Sequence, residues 1–134
     1  YLVEYSSALF WQFLLAFRIL FRHGFDVIQA CNPPDTIFIV GGFFKYVFGK
    51  KFIFDHHDLS PELYEAKFQK KGPLHRILLK LERLTFRTAD VVISTNDSFR
   101  KIAETRGSVP SDRIFIVRSG PDLNRFRLEA PVEE

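Results

Sequence analysis

A chain of 134 residues with 46% hydrophobic and 26% charged side chains has the composition of one soluble globular domain, and is too apolar for a disordered segment. The 19 basic residues against 16 acidic ones leave a formal charge of only +3, too little to argue for nucleic acid as a partner. A lone cysteine, Cys31, excludes an internal disulfide framework and points to a reducing compartment, so the cytoplasm is the expected location.

The chain begins with Tyr1, contains no methionine, and closes on Pro131 and glutamates, which reads as an excised domain of a longer protein. Ser6 and Ser7 precede an apolar run from Ala8 to Phe21, interrupted by Gln12 and Arg18 and closed by His23 and Gly24, which predicts a first helix. Its apolar span falls short of the ~20 residues that cross a bilayer, and it lacks the small-residue cleavage site of a secretory signal. The expected role is to cover a sheet. The aromatic set Phe10, Trp11, Phe13, Phe17 and Phe21, with Arg18 and Arg22, also suits contact with a membrane surface.

The rest alternates regularly. Asp26 to Ala30 (DVIQA) is a short β-rich run, and Cys31-Asn32-Pro33-Pro34-Asp35 is a turn whose prolines stop the strand and suit a helix start, with Asp35 as a helix cap. Thr36 to Phe48 predicts a helix in which Gly41-Gly42 allows close approach to a neighbour, and Gly49 ends it. Lys51 to Asp55 (KFIFD) is the second strand. A polar loop runs from His56 to about Lys71, and within it Pro61 opens a short helix whose Glu62 and Glu65 suit the helix dipole. Gly72-Pro73 starts a helix over Leu74 to Thr88 with apolar residues at three- and four-residue spacing. Asp90 to Thr95 (DVVIST) is the third strand, Asn96 and Asp97 cap a helix from Ser98 to Arg106 that Gly107 ends, and Arg113 to Arg118 (RIFIVR) is the fourth strand.

Short apolar strands separated by helices predict an α/β fold, a Rossmann-like parallel sheet with helices on both faces, because parallel neighbours need a crossover and the crossover is usually a helix. The near-continuous apolar runs FIF, VVI and IFIV fit strands buried on both sides. The 16 phenylalanines then belong to packing between sheet and helices.

In such sheets ligands gather outside the carboxyl ends of the strands. The exits here are Cys31 to Asp35, Asp55 to Glu62, Thr95 to Asp97, and Arg118 to Asp122. The second is richest: Asp55-His56-His57-Asp58 alternates no apolar residue, and a histidine titrates near neutral pH. His56 is either a satisfied histidine bonded to Asp55, Asp58 or a carbonyl, or part of a site; for His57 a directional bond to a ligand hydroxyl competes with that reading. A metal is not expected, because adjacent residues of an extended chain point apart and no Cys/His cluster supplies further ligands. There is no GxxxxGKS or GxxxxGKT phosphate loop and no GxGxxG opening a helix. Lys70, Lys71, His75, Arg76, Lys80, Arg83 and Arg87 form a basic helical face, either solvated or in contact with acidic headgroups or a diphosphate-linked substrate.

Taken together, DVIQACNPPDTIF, FIFDHHDLSPELYEAKF, ADVVISTNDSF and IFIVRSGPDLNRF, in this order and spacing, resemble the acceptor-side half of family 4 retaining glycosyltransferases of the two-domain GT-B type, in particular bacterial members that build surface polysaccharides. The most specific stretches are HDLSPE and VRSGPDLNRF. The resemblance implies a Rossmann-like acceptor-side domain over residues 1–118, with its first strand and glycine-rich loop before Tyr1, and the start of an interdomain linker at 119–134, leading to a carboxy-terminal donor-binding domain. It implies that His57 faces the cleft and bonds a donor-sugar hydroxyl near the reacting carbon, that Asp58 fixes the loop or meets the acceptor, that Asn32 lines the acceptor side, and that Ser119 and Gly120 form the hinge. His56, Glu62 and Asn96 join Asn32 and Asp58 as candidate substrate-binding residues. The implied donor is a UDP- or GDP-sugar acting as substrate, with no tightly bound cofactor or metal. The implied acceptor is a glycan or lipid-linked molecule, with peripheral contact at the inner membrane. Ser119 departs from the family's usual asparagine. A fragment without its first strands is expected to leave an exposed sheet edge and to fold marginally. The alternative expectation is a non-catalytic α/β module that binds a ligand or a membrane.

Overall fold

The structure, a computed structural model, describes residues 2–118 and Gly120. Four parallel strands, β1 (Val27–Cys31), β2 (Lys51–His56), β3 (Val91–Ser94) and β4 (Ile114–Ile116), form one sheet in the order β1-β2-β3-β4. The helices are α1 (Leu2–Arg22), α2 (Phe38–Phe48, entered through one 3-10 turn at Asp35–Ile37), α3 (Ser60–Phe68), α4 (Pro73–Thr88) and α5 (Asp97–Thr105). A second 3-10 turn, Ser111–Arg113, leads into β4.

Local chemistry accounts for most boundaries. Gly49 ends α2 at φ 65°, a left-handed conformation that a side chain would strain. Pro61 and Pro73 stand in the first turns of α3 and α4, where a missing N–H leaves no bond unmade. Asn96 caps α5, its Oδ1 accepting from the N–H groups of Ser98 at 2.9 Å and Phe99 at 3.1 Å. The first helix starts earlier than Ser6 and Ser7 suggest, because Val3 and Tyr5 prolong the apolar pattern through its opening turn. β4 is shorter than RIFIVR implies.

Strand register sorts the sheet into two unlike faces. Ala30, Phe54, Val92 and Ile114 stand side by side, and all except the half-buried Ala30 are fully buried. With Phe52 they meet Phe44 of α2, Phe86 of α4 and Ala103 of α5 in a single core. Gly41 is pressed so close to the Phe52 ring that a Cβ there would sit 2.5 Å from it. Outside this layer α1 packs on α2 through rings, Phe17 lying 5.1 Å from Phe44 and 5.5 Å from Phe43 between centroids. Phe44, Phe52, Phe54 and Phe86 occupy the home expected for the phenylalanines, between sheet and helices, whereas Phe10, Phe21, Phe68 and Phe115 are exposed.

The α/β class and the parallel sheet match the expectation, but the coverage differs: among the described residues the buried strand positions all lie on one face. On the other, Val27 and Phe115 are exposed and Ile53, Val91 and Ile93 only half-buried. The cause is topological. When each strand is added beyond the last in the same direction, right-handed crossovers place every connecting helix on the same side.

Candidate functional site

The exits of β1 and β2 are tied together by one amide. Asn32 is 3% exposed. Its Oδ1 accepts from the backbone N–H of His57 at 3.0 Å and of Asp58 at 3.2 Å. Its Nδ2 donates to the Asp58 carbonyl at 2.6 Å and to Asp35 Oδ1 at 3.1 Å. An asparagine side chain has two donors and two acceptor positions, and all are occupied. Asn32 therefore fixes the path of the His57-Asp58 backbone from beneath, and its polar atoms are committed to that task. Its neighbours Pro33 and Pro34 both follow cis peptide bonds.

Beside it, Asp35 is also buried. Burial pushes its carboxyl above the ordinary value, while hydrogen bonds from Ser60 and Asn32 pull the other way without cancelling the rise. Thr85 Oγ1 donates to the Asp35 carbonyl at 3.0 Å, which anchors this turn to α4.

The two adjacent histidines part company, as successive residues of an extended chain must. His56 has no solvent exposure. Its ring is walled by Phe86 and Phe99, both 5.0 Å away between centroids, and its Nε2 lies 3.7 Å from Oε1 of the equally buried Glu82. Arg106 Nη2 donates to that Glu82 oxygen at 2.7 Å and reaches outward to grip Glu62 with two nitrogens. The row Glu62–Arg106–Glu82–His56 thus runs from surface to core. Burial alone would raise the Glu62 carboxyl, yet the hydrogen bond and charge of Arg106 outweigh it and hold Glu62 below its ordinary value. Burial would likewise lower Arg106, but the two carboxylates keep it above.

His57 lies on the opposite side of the strand line, its side chain 48% exposed. Its Nε2 is 3.0 Å from Asp55 Oδ1, and Gln29 Nε2 donates to the other Asp55 oxygen at 3.1 Å. Asp55 is itself mostly buried. The ring thus stands within ion-pair distance of a carboxylate that an amide holds from the other side, without a formed hydrogen bond between ring and carboxylate, and Nδ1 has no partner among the described residues and can make one directional bond. This is the arrangement of a positioned proton carrier or hydroxyl ligand.

The structure therefore brings Asn32, His57 and Asp58 into one assembly, with Asp58 half-buried in a loop held by backbone bonds. It separates His56 into the core, gives Glu62 to Arg106 and gives Asn96 to the α5 cap. Gly120 is exposed; Ser119 and residues 121–134, expected as hinge and linker, lie outside the described residues. No group of three or more His, Cys, Asp or Glu side chains is placed to hold a metal ion among the described residues. Gln29 and the Asp55-His57 pairing went unread in the sequence. The pairing had a signal, the two-residue period that puts positions 55 and 57 on one side; Gln29 stood out only as the polar member of an otherwise apolar strand.

Set beside known proteins, the chain matches the family model described as Glycosyltransferase Family 4 over residues 2–125. No curated protein matches it.

Proposed function

The chain belongs to Glycosyltransferase Family 4, and from that premise we propose that it forms the acceptor-side half of an enzyme that moves a sugar from a UDP- or GDP-sugar to a glycan or lipid-linked acceptor with retention of configuration, in the building of a surface polysaccharide. The observation that carries this reading is the Asn32 clasp, which locks the backbone that presents His57 and Asp58 at two neighbouring strand exits. The nucleotide is assigned to a second domain beyond this chain, so the donor enters as substrate.

In this reading His57 is the group that touches the donor sugar. As the nucleoside diphosphate leaves, positive charge builds at the anomeric carbon, and a rigidly placed imidazole with one free nitrogen can hold a sugar hydroxyl in the geometry the transition state needs. Asp55, held by Gln29, stands 3.0 Å from the ring, and Asn32 fixes its backbone. Asp58, in the same reading, fixes the loop or meets the acceptor. Asn32, His56, Glu62 and Asn96 act through the scaffold as positioning residues.

The test is His57→Ala in the full-length protein with a panel of nucleotide sugars. Turnover should fall by about a hundredfold or more, the range of a positioned acid–base or hydrogen-bonding group, while Tm stays within the small change expected for a half-exposed side chain. Undiminished turnover removes His57 from the site. Failure of the intact protein to transfer any sugar favours the α/β binding module.

A further inference from the structure

The inward stripe of α1 keeps the helical period: Leu9, Phe13, Ala16, Phe17 and Leu20 are half-buried, and Phe13 and Phe17 pack on the rings of α2. The outward stripe obeys a stricter spacing. Glu4, Trp11 and Arg18 stand seven residues apart, Ser7, Leu14 and Phe21 stand seven apart between them, and all six are exposed, Trp11 at 58% and Phe21 at 75%. Alternating steps of three and four are the seam along which one helix packs on another. Val3, Phe10 and Leu15 are exposed on its flanks, so the apolar strip is wider than the seam itself. The helix, 21 residues, is about 30 Å long, and the seam runs nearly all of it.

The charges of this stripe are the second observation, because they are sorted by end. Glu4 stands in the first turn of α1, Arg22 in the last and Arg18 one turn before it. A second α1 laid parallel would set carboxylate against carboxylate and guanidinium against guanidinium. Laid antiparallel, with Trp11 opposite the partner's Leu14 and Leu14 opposite the partner's Trp11, it brings Phe21 of each helix to Glu4 of the other. Each Glu4 then lies between the partner's Arg18 and the partner's Arg22, at both ends of the pair. Apolar residues at the centre with opposite charges at the ends are what fixes orientation and register in a helix pair.

We propose that α1 pairs antiparallel with α1 of a second copy of this chain, about a two-fold axis at the level of Gln12 and Phe13, to form a dimer. The stripe selects a second copy because it complements itself: the same six positions supply both sides of the contact, and a two-fold contact of this kind closes on itself and leaves a finite assembly. A surface of a single charge sign would suit Arg18 and Arg22 but oppose Glu4, and would need no seven-residue register. The residues that face α2 are not used, so pairing leaves the core as it is. This goes beyond the sugar-transfer reading and does not depend on it.

The experiment is sedimentation equilibrium of the full-length protein across a concentration series, and the expected result is a reversible monomer–dimer equilibrium. Leu14→Glu, at an exposed position, sets a carboxylate against the partner's Trp11 twice by symmetry; it should keep the circular-dichroism spectrum and leave only monomer over the same range. Arg18→Glu/Arg22→Glu makes both ends repulsive and should weaken association by about tenfold, from the usual worth of an exposed ion pair counted at each end. Adding Glu4→Arg to that variant should restore association, because each end again joins opposite charges, a rescue that a parallel pair would not show. A monomer at every concentration, a dimer that the folded Leu14→Glu variant leaves intact, or a triple variant as weak as the double one overturns the proposal. So does a protein that stays monomeric and takes up lipid vesicles instead, which would give the stripe to a bilayer.

Discussion

The two faces of the sheet divide the labour of this domain. On the covered face Phe52, Phe54 and His56 of β2 vanish beneath α2, α4 and α5; on the open face Lys51, Ile53 and Asp55 of the same strand remain partly in water. The covered face excludes water and fixes the backbone. The open face leads into His57 and keeps Asp55 and Gln29 polar and reachable. Two histidines with a shared peptide bond end in opposite roles because a strand turns successive side chains to opposite sides. A single strand thereby anchors the fold and presents the chemistry.

That contrast is easiest to break with one ring on each face. Phe54→Ala, at full burial, should cost about 3–5 kcal/mol in urea unfolding of the chain. Phe115→Ser, 54% exposed on the open side, should stay within about 0.5 kcal/mol. Comparable losses would mean the open face carries as much of the core as the covered one. Gly41→Ala, which forces a methyl into the Phe52 ring, should cost about 1–3 kcal/mol through overpacking. A neutral result there would show that α2 can lift off the sheet without penalty.

The smallest effect sharpens the comparison at its edge. Burial raises Asp35 above its ordinary 3.8, so the folded chain holds this proton more tightly than the unfolded one. The stability tied to Asp35 is then complete at low pH and is lost as pH rises through the raised value. Asp35→Asn removes that loss, and the stability of the variant relative to the parent should grow as pH rises above the ordinary 3.8. Glu62 and Asp90 contribute in the opposite sense. Both are held below their ordinary 4.5 and 3.8 despite partial burial, Glu62 by Arg106 and Asp90 by the Phe52 N–H with Lys45 and Lys51, so their contribution is lost as pH falls. This trend is common to both chains and cancels in the difference. A pH-independent difference in paired urea melts would show that Asp35 ionises in the fold as freely as in the unfolded chain.

Much of this was legible beforehand. The strand–helix alternation, the Gly49 stop, the Pro61 and Pro73 starts and the Asn96 cap are local signals, written in residues that touch their near neighbours. What stayed hidden is long-range. FIF looks the same whether Ile53 is buried or bare, so the open face could not be read from it. Asn32 reads as a lining residue until β1 and β2 pair and place its amide under the His57 backbone. Glu62 reads as a first-turn carboxylate until α5 brings Arg106 against it. His56 and His57 were separable by period alone, but which one entered the core depended on where Phe86 and Phe99 would lie.

The plain order β1-β2-β3-β4 carries a kinetic consequence. Among the described strands, each one's partner is the next along the chain, so each of these pairings closes the shortest loop available. Such a chain can assemble by zipping, each strand and its returning helix docking on the pair already formed, and its folding rate should respond to the middle strands more than to either edge.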